Sequence, residues 1–144
     1  MKKIIITIDG PAASGKEKIA KFISKKWKLK HLDSGILYRQ LAYNFLNNKI
    51  DVNKVKEVKK QLNEIREISF RKTKIIRSQQ ISKLASKIAV HNCVRKFVNN
   101  LQYDFVNNSK NINGFVIDGR DIGSVVFKNA NLKLYIDVNP EIRA

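Results

Sequence analysis

Between Lys3 and Asp9 the chain reads KIIITID, a compact β-branched run closed by Gly10-Pro11. A run without polar alternation predicts a strand buried on both faces, the kind found in parallel sheets. After a glycine-containing loop, Ile19, Phe22, Ile23 and Trp27 recur at helical spacing, with Lys21, Lys25 and Lys26 between them. That spacing predicts an amphipathic helix with Trp27 on its apolar face. LKHLDSG then predicts a short strand ending in a turn. Leu37, Leu41, Phe45 and Leu46 mark one face of a second helix that stops near Asn47-Asn48, and Val55, Val58, Leu62 and Ile65 outline a third. ISF (68–70) reads as a weak strand with basic residues after it. From Ser78 a long helical stripe begins with Ile81, Leu84, Ala85 and Ile88. It resumes after His91-Asn92 through Val94, Phe97, Val98, Leu101 and Phe105. NNSKNING is the clearest loop, and FVID and LKLYIDV predict two further buried strands. Strands alternating with helices predict an α/β domain around a parallel sheet.

Composition adds bounds to that pattern. The 144 residues suit one domain, 1–144, with a real core. No apolar run is long enough to span a bilayer, and the apolar stretch after the basic tip is too short for a signal peptide. A single cysteine, Cys93, excludes an internal disulfide framework and a cysteine-rich metal site. His31 and His91 have no partner cluster for a metal and read as neighbours within helices or strands. The expectation is a cytoplasmic protein with no membrane partner. The net charge of +17 would attract polyanions or anionic small molecules. Yet 22 of the 29 basic residues are Lys, beside abundant Asn and Ile, so codon composition also accounts for the charge. The seven arginines are the more informative choice.

Three clusters could carry chemistry, and each follows a predicted strand. GPAASGKEK (10–18) has the spacing Gly-x-x-x-x-Gly-Lys of a phosphate-cradling loop, placed between a buried strand and a helix as that motif requires. Gly10 and Gly15 permit the tight turn that aims backbone N–H groups inward, the helix adds its positive end, and Lys16 would reach terminal phosphates. The plainer alternative is a strand-to-helix turn capped by Ser14. In LDSGILYRQL, Tyr38 and Arg39 follow a strand end, and Arg suits bidentate phosphate binding; a helix start capped by Asp33 or Ser34 is the alternative. In VIDGRDIG, Asp118 ends a strand where phosphoryl-transfer enzymes hold a magnesium-bound water, followed by Arg120 and Asp121. There the alternative is a turn with an Asp–Arg surface pair.

Taken in order, IDGPAASGK, LDSGILYR, IRSQQISKLASKIA, VRKF and VIDGRDIGSVVF resemble the successive motifs of bacterial cytidylate kinases, nearly end to end. The resemblance implies a three-layer α/β/α phosphate-loop kinase fold with a parallel sheet. About 40–110 would form a shortened, mostly helical CMP-binding insert. The implied activity is transfer of the γ-phosphoryl of ATP to CMP or dCMP, with Mg2+ accompanying ATP and small-molecule nucleotides as partners. Gly10, Pro11, Ala12, Ala13, Ser14, Gly15, Lys16, Glu17 and Lys18 would then cover the ATP phosphates, with Lys16 the catalytic cation. Ser34, Tyr38, Arg39 and Arg120 would surround the CMP sugar and phosphate, with Arg39 and Arg120 also acting in catalysis. Ser86, Arg95 and Asp121 would meet the cytosine edge, and Asp118 would sit near the metal through a water. The expected state is a monomer.

The chain departs from the family pattern in three places. Glu17-Lys18 replaces the Gly-Thr that follows the loop lysine, the segment between Leu62 and Arg77 is short, and NPEIRA ends the sequence where family members continue into an arginine-rich lid and a last strand. The departures keep a second expectation open: a truncated, catalytically impaired nucleotide-binding remnant. A third is a basic nucleic-acid-binding module, for which the sequence offers no zinc pattern, recognition helix or aromatic stacking surface; nucleic acid is thus not the expected partner.

Overall fold

The computed structural model describes residues 3–71, 73–110 and 112–137. Its elements are β1 (Ile4–Asp9), α1 (Lys16–Trp27), β2 (Lys30–Asp33), α2 (Ser34–Asn47), α3 (Val55–Glu64), α4 (Gln79–Ile88), α5 (Asn92–Asn108), β3 (Gly114–Gly119), a π-helical turn (Ile122–Val126) and β4 (Leu132–Tyr135). The backbone groups into two compact units, one of 1–34 with 106–144 and one of 35–105.

The first unit is a four-stranded sheet in the order β2-β3-β1-β4, with every pairing parallel. Its class is α/β, as the alternation of strands and helices predicts. Parallel neighbours need crossover connections, and α1 supplies the first. On one face Ile8 and Val116 pack with Ala20, Ile23 and Leu29, joined by the half-buried Ile6, Ile19 and Leu134. β3 is buried along its whole length, as its apolar run requires. β1 is less so: Ile4 is exposed and only Thr7 and Ile8 are fully enclosed.

Two expectations fail in this unit. Phe22 and Trp27 are 61% and 53% exposed, so α1 buries a narrower face than its spacing predicts, built on Ala20 and Ile23. Trp27 closes the helix immediately before the left-handed Lys28, and the Lys26 ammonium lies over both the Phe22 and Trp27 rings. β4 is four residues long and mostly exposed rather than a buried strand, because β1 is its neighbour on one side and it has no other among the described residues. Val138 of the predicted LKLYIDV strand and the NPEIRA segment lie outside the described residues.

The second unit is helical. Leu37, Leu41, Ala42 and Phe45 of α2 meet Val58 and Leu62 of α3, Ile76, Ile81, Ala85 and Ile88 on and before α4, and Val94 and Val98 of α5. Each Leu, Ile, Val or Phe side chain of this set, fully buried, contributes about 1.5–3 kcal/mol. Ser78 caps α4, its Oγ accepting from Ile81 N at 3.2 Å. Asn44 Oδ1 accepts from the buried Gln61 amide at 2.8 Å, and His91 Nε2 lies 2.6 Å from Val52 O. The ISF segment forms no strand: 65–71 is irregular, with Ile68 against the helical core and Phe70 tilted on Phe105 at 5.0 Å. A hydrophobic anchor therefore occupies a place where alternation alone reads as a strand. α5 runs to Asn108, so it absorbs the first two residues of the predicted NNSKNING loop. No helix among the described residues is long and apolar enough to cross a membrane.

Candidate functional site

Because the sheet is parallel, the carboxyl ends of its strands share one edge. The registers Asp9↔Gly119, Asp33↔Asp118 and Asp9↔Tyr135 bring four sequence-distant strand ends to it. The chain leaves β1, reaches β2, returns to β3 beside β1, then crosses to β4 on the other side of β1. Ligands in open α/β sheets collect where such connections diverge.

At that edge residues 10–15 turn sharply into α1. Gly15 takes the left-handed conformation (φ 88) and Ala13 does as well (φ 58). A Cβ at Gly15 would meet nothing within 4 Å, so open space lies beside the helix start. Left-handed residues interleaved with ordinary ones curve the backbone into a concavity lined by N–H groups, and anions bind there. The α1 N-terminus adds its partial positive charge. Lys16, the first residue of α1, arches back so that Nζ donates to Pro11 O at 3.1 Å, which draws its ammonium over the loop. Pro11 is half-buried, and Ala12 and Ala13 are exposed.

Ser14 does not cap α1. Gly15 is the N-cap with no side-chain bond, and the buried Ser14 Oγ has no hydrogen-bond partner among the described residues. Glu17 sends its carboxylate along the helix to Lys21 Nζ at 3.2 Å, one turn onward, while Lys18 is exposed.

The VIDGRDIG segment lies at the same edge. Asp118 is 1% exposed, and its Oδ1 accepts from His31 Nε2 at 2.5 Å. A carboxylate has only acceptors, so the imidazole nitrogen is the donor. Ser34 is also buried and its hydroxyl donates to Asp118 O at 3.0 Å. Gly119 must be glycine here, since a Cβ would overlap Ser34 Oγ and crowd Ile122. Arg120 and Asp121 are exposed, Asp121 in the left-handed region (φ 56). The turn they form is held from β1: Asp9 Oδ1 accepts from Ile122 N at 2.6 Å and Oδ2 from Gly123 N at 2.9 Å.

The first unit thus assembles Gly10 to Lys18, Ser34, Asp118, Arg120 and Asp121 on one sheet edge. The remaining expected residues belong to the helical unit. Tyr38 and Arg39 are half-buried on α2, with Tyr38 packed against the helical core. Ser86 is exposed on α4, its hydroxyl donating to Ser82 O at 3.3 Å. Arg95 is exposed on α5 with its guanidinium on Asn92 Oδ1. Sequence reasoning missed Asp9 and the pairing of His31 with Asp118. Asp9 could have been found from its place as the last β1 residue before the loop; nothing local marks His31.

For a magnesium ion carried by a nucleotide, the edge offers the hard oxygen donor that the ion prefers, the Asp118 carboxylate, with one oxygen committed to His31. Glu17 turns its carboxylate toward Lys21, and Lys18 stands where the family pattern has a hydroxyl. This donor set fits an ion held mainly by phosphates and waters.

Comparison with known proteins adds the family. Residues 6–144 match the Cytidylate kinase family. A cytidylate kinase of Rickettsia felis is 40% identical over 139 residues, which is 96% of this chain and 61% of that protein. One of Fusobacterium nucleatum is 38% identical over 154 residues, covering all of this chain and 68% of its own length. The chain therefore spans about three-fifths to two-thirds of the curated relatives it matches. The crystal structure of TT1252 from Thermus thermophilus shares the fold, with a TM-score of 0.56 at 18% identity, covering 99% of this chain and 70% of that one.

Proposed function

We propose, from the premise that this chain belongs to the cytidylate kinase family, that it binds ATP through residues 10–18 and phosphorylates CMP or dCMP to CDP or dCDP. The observation that carries the proposal is the loop itself: left-handed Ala13 and Gly15, open space at Gly15, and Lys16 drawn back over the turn.

In this reading the backbone N–H groups of 12–16 hold the β- and γ-phosphates, and Lys16 offsets charge as the γ-phosphoryl moves. A phosphate oxygen of CMP attacks the γ-phosphorus, the bond from that phosphorus to the β-bridging oxygen breaks, and ADP leaves with the electron pair. Little covalent chemistry falls to the protein; positioning and charge neutralisation supply the rate. Ser34, Tyr38, Arg39 and Arg120 hold the CMP sugar and phosphate, with Arg39 and Arg120 stabilising the transferred group. Ser86, Arg95 and Asp121 read cytosine, whose exocyclic amine donates while its ring nitrogen and carbonyl accept. Asp118 would hold magnesium through a water, and the ion accompanying ATP would supply neutralisation of phosphate charge. The protein works on small-molecule nucleotides in the cytoplasm, as a monomer. The ion pair of Glu17 with Lys21 supports an open loop, since the carboxylate has a partner away from the phosphate cradle.

A radiometric assay with γ-labelled ATP, magnesium and CMP, run on the full chain, tests the proposal. Label should pass to CDP, and Lys16→Ala should lower kcat/KM by about a hundredfold or more, the scale of one lost charge-stabilising group. Equal transfer by wild type and Lys16→Ala, or none by either, would sink it.

A further inference from the structure

Asp9 sits between two halves of the proposed site. It is the last residue of β1, directly before the loop at Gly10, and its two carboxylate oxygens accept from Ile122 N and Gly123 N at 2.6 and 2.9 Å. Those amides follow Arg120 and Asp121 immediately. They are also the first two N–H groups of the π-helical turn, which have no partner within that turn. A carboxylate that takes two successive backbone N–H groups is a strong, oriented clamp. It also matches the positive end of the turn.

The clamp has something to hold. Asp121 lies in the left-handed region at φ 56, a conformation that costs an L-residue energy, though Asp less than most. On the inner side Gly123 is pressed so closely on β1 that a Cβ would come within 2.6 Å of Thr7 Oγ1 and 3.3 Å of Asp9 Oδ2. The segment is therefore fixed from within at Ile122 and Gly123, while Arg120 and Asp121 project outward as exposed side chains. Among the described residues, Asp9 is the side chain that accepts from these two amides.

We infer that Asp9 is a positioning residue that sets the place of Arg120 and Asp121 relative to the phosphate loop, so that one strand end serves both nucleotides. The assignment of Arg120 and Asp121 to CMP rests on the function proposed above; the clamp on the turn does not.

Hydrogen–deuterium exchange and steady-state kinetics on the full chain test it, with Asp9→Ala and the near-isosteric Asp9→Asn. In Asp9→Ala the amides of Ile122 and Gly123 should exchange about tenfold faster or more, as expected for loss of hydrogen bonds to a charged acceptor. Asp9→Asn keeps one acceptor and should fall between. Amides of β3 should keep their protection in both. KM for CMP should rise about tenfold and kcat should fall, while KM for ATP stays within about twofold. Should Asp9→Ala not fold, Asp9→Asn carries the test. Unchanged exchange at 122–123 in the variant that folds would overturn the clamp. Equal rises in both KM values, with β3 protection lost, would reduce Asp9 to a general structural residue and overturn the positioning role. A wild type that turns over no CMP would refute the kinase reading alone, and the exchange result would still decide what Asp9 does to the turn.

Discussion

Replacing His31 with Leu removes the donor from a carboxylate that has almost no water. Asp118 is 1% exposed and its Oδ1 lies 2.5 Å from His31 Nε2; the imidazole side chain itself is 16% exposed. A hydrogen bond to a charged group contributes about 1.5–3 kcal/mol. Removing one partner of a fully buried pair costs about 3–5 kcal/mol, because the remaining charge is left unsolvated. The slight opening at His31 admits some water, so His31→Leu should cost about 2–4 kcal/mol. The mechanism makes a second claim that a simple packing loss would not. Asp118→Asn in the same chain removes the charge, so the double variant should be more stable than His31→Leu alone by about 1–2 kcal/mol. Urea denaturation followed by circular dichroism at several protein concentrations measures both. A His31→Leu chain within about 0.5 kcal/mol of wild type, or a double variant no better than the single, would refute the reasoning.

Two other outcomes follow from neighbouring contacts. Gly119→Ala forces Ser34 Oγ out of its bond to Asp118 O, which should destabilise the chain by about 1–3 kcal/mol. In a Ser34→Ala background the same change should cost visibly less, and strict additivity in thermal melts would count against the contact. Lys21→Met should barely move stability, since an exposed i,i+4 pair contributes about 0.3–0.5 kcal/mol. It should weaken ATP binding by about threefold by freeing the Glu17 charge. Calorimetry showing no change, or no recovery when Glu17→Gln is added, would end that account.

What could be read from the sequence divides along physical lines. KIIITID and FVID announce themselves because a strand buried in a parallel sheet needs no polar partners of its own. The helical stripes of Leu37, Leu41 and Phe45, and of Ile81, Ala85 and Ile88, are buried as their period predicts because facing helices receive them, while Leu46 of the first stripe is 40% exposed. The loop was visible because its glycines and lysine are contiguous. Phe22, Trp27 and the ISF segment failed where local spacing says nothing about whether a neighbouring element exists to receive the side chain. His31 with Asp118, and Asp9 with Ile122 and Gly123, join residues 87 and 113 or more positions apart, and no window along the chain contains both partners.

The strand order carries a temporal consequence as well as a geometric one. β1 is paired on its two sides by β3 and β4, segments that begin 110 and 128 positions after Ile4. Until those residues exist, β1 has no partner and the apolar faces of β1 and α1 have no sheet to complete. The helical unit of 35–105 is continuous in sequence and holds its core within itself. On a ribosome, where chains emerge from the N-terminus and units fold as they are completed, the middle of this protein can condense first. The loop of residues 10–18, among the earliest made, takes its shape last, waiting on the strand that brings Asp118 and the Ile122 amide to the same sheet edge.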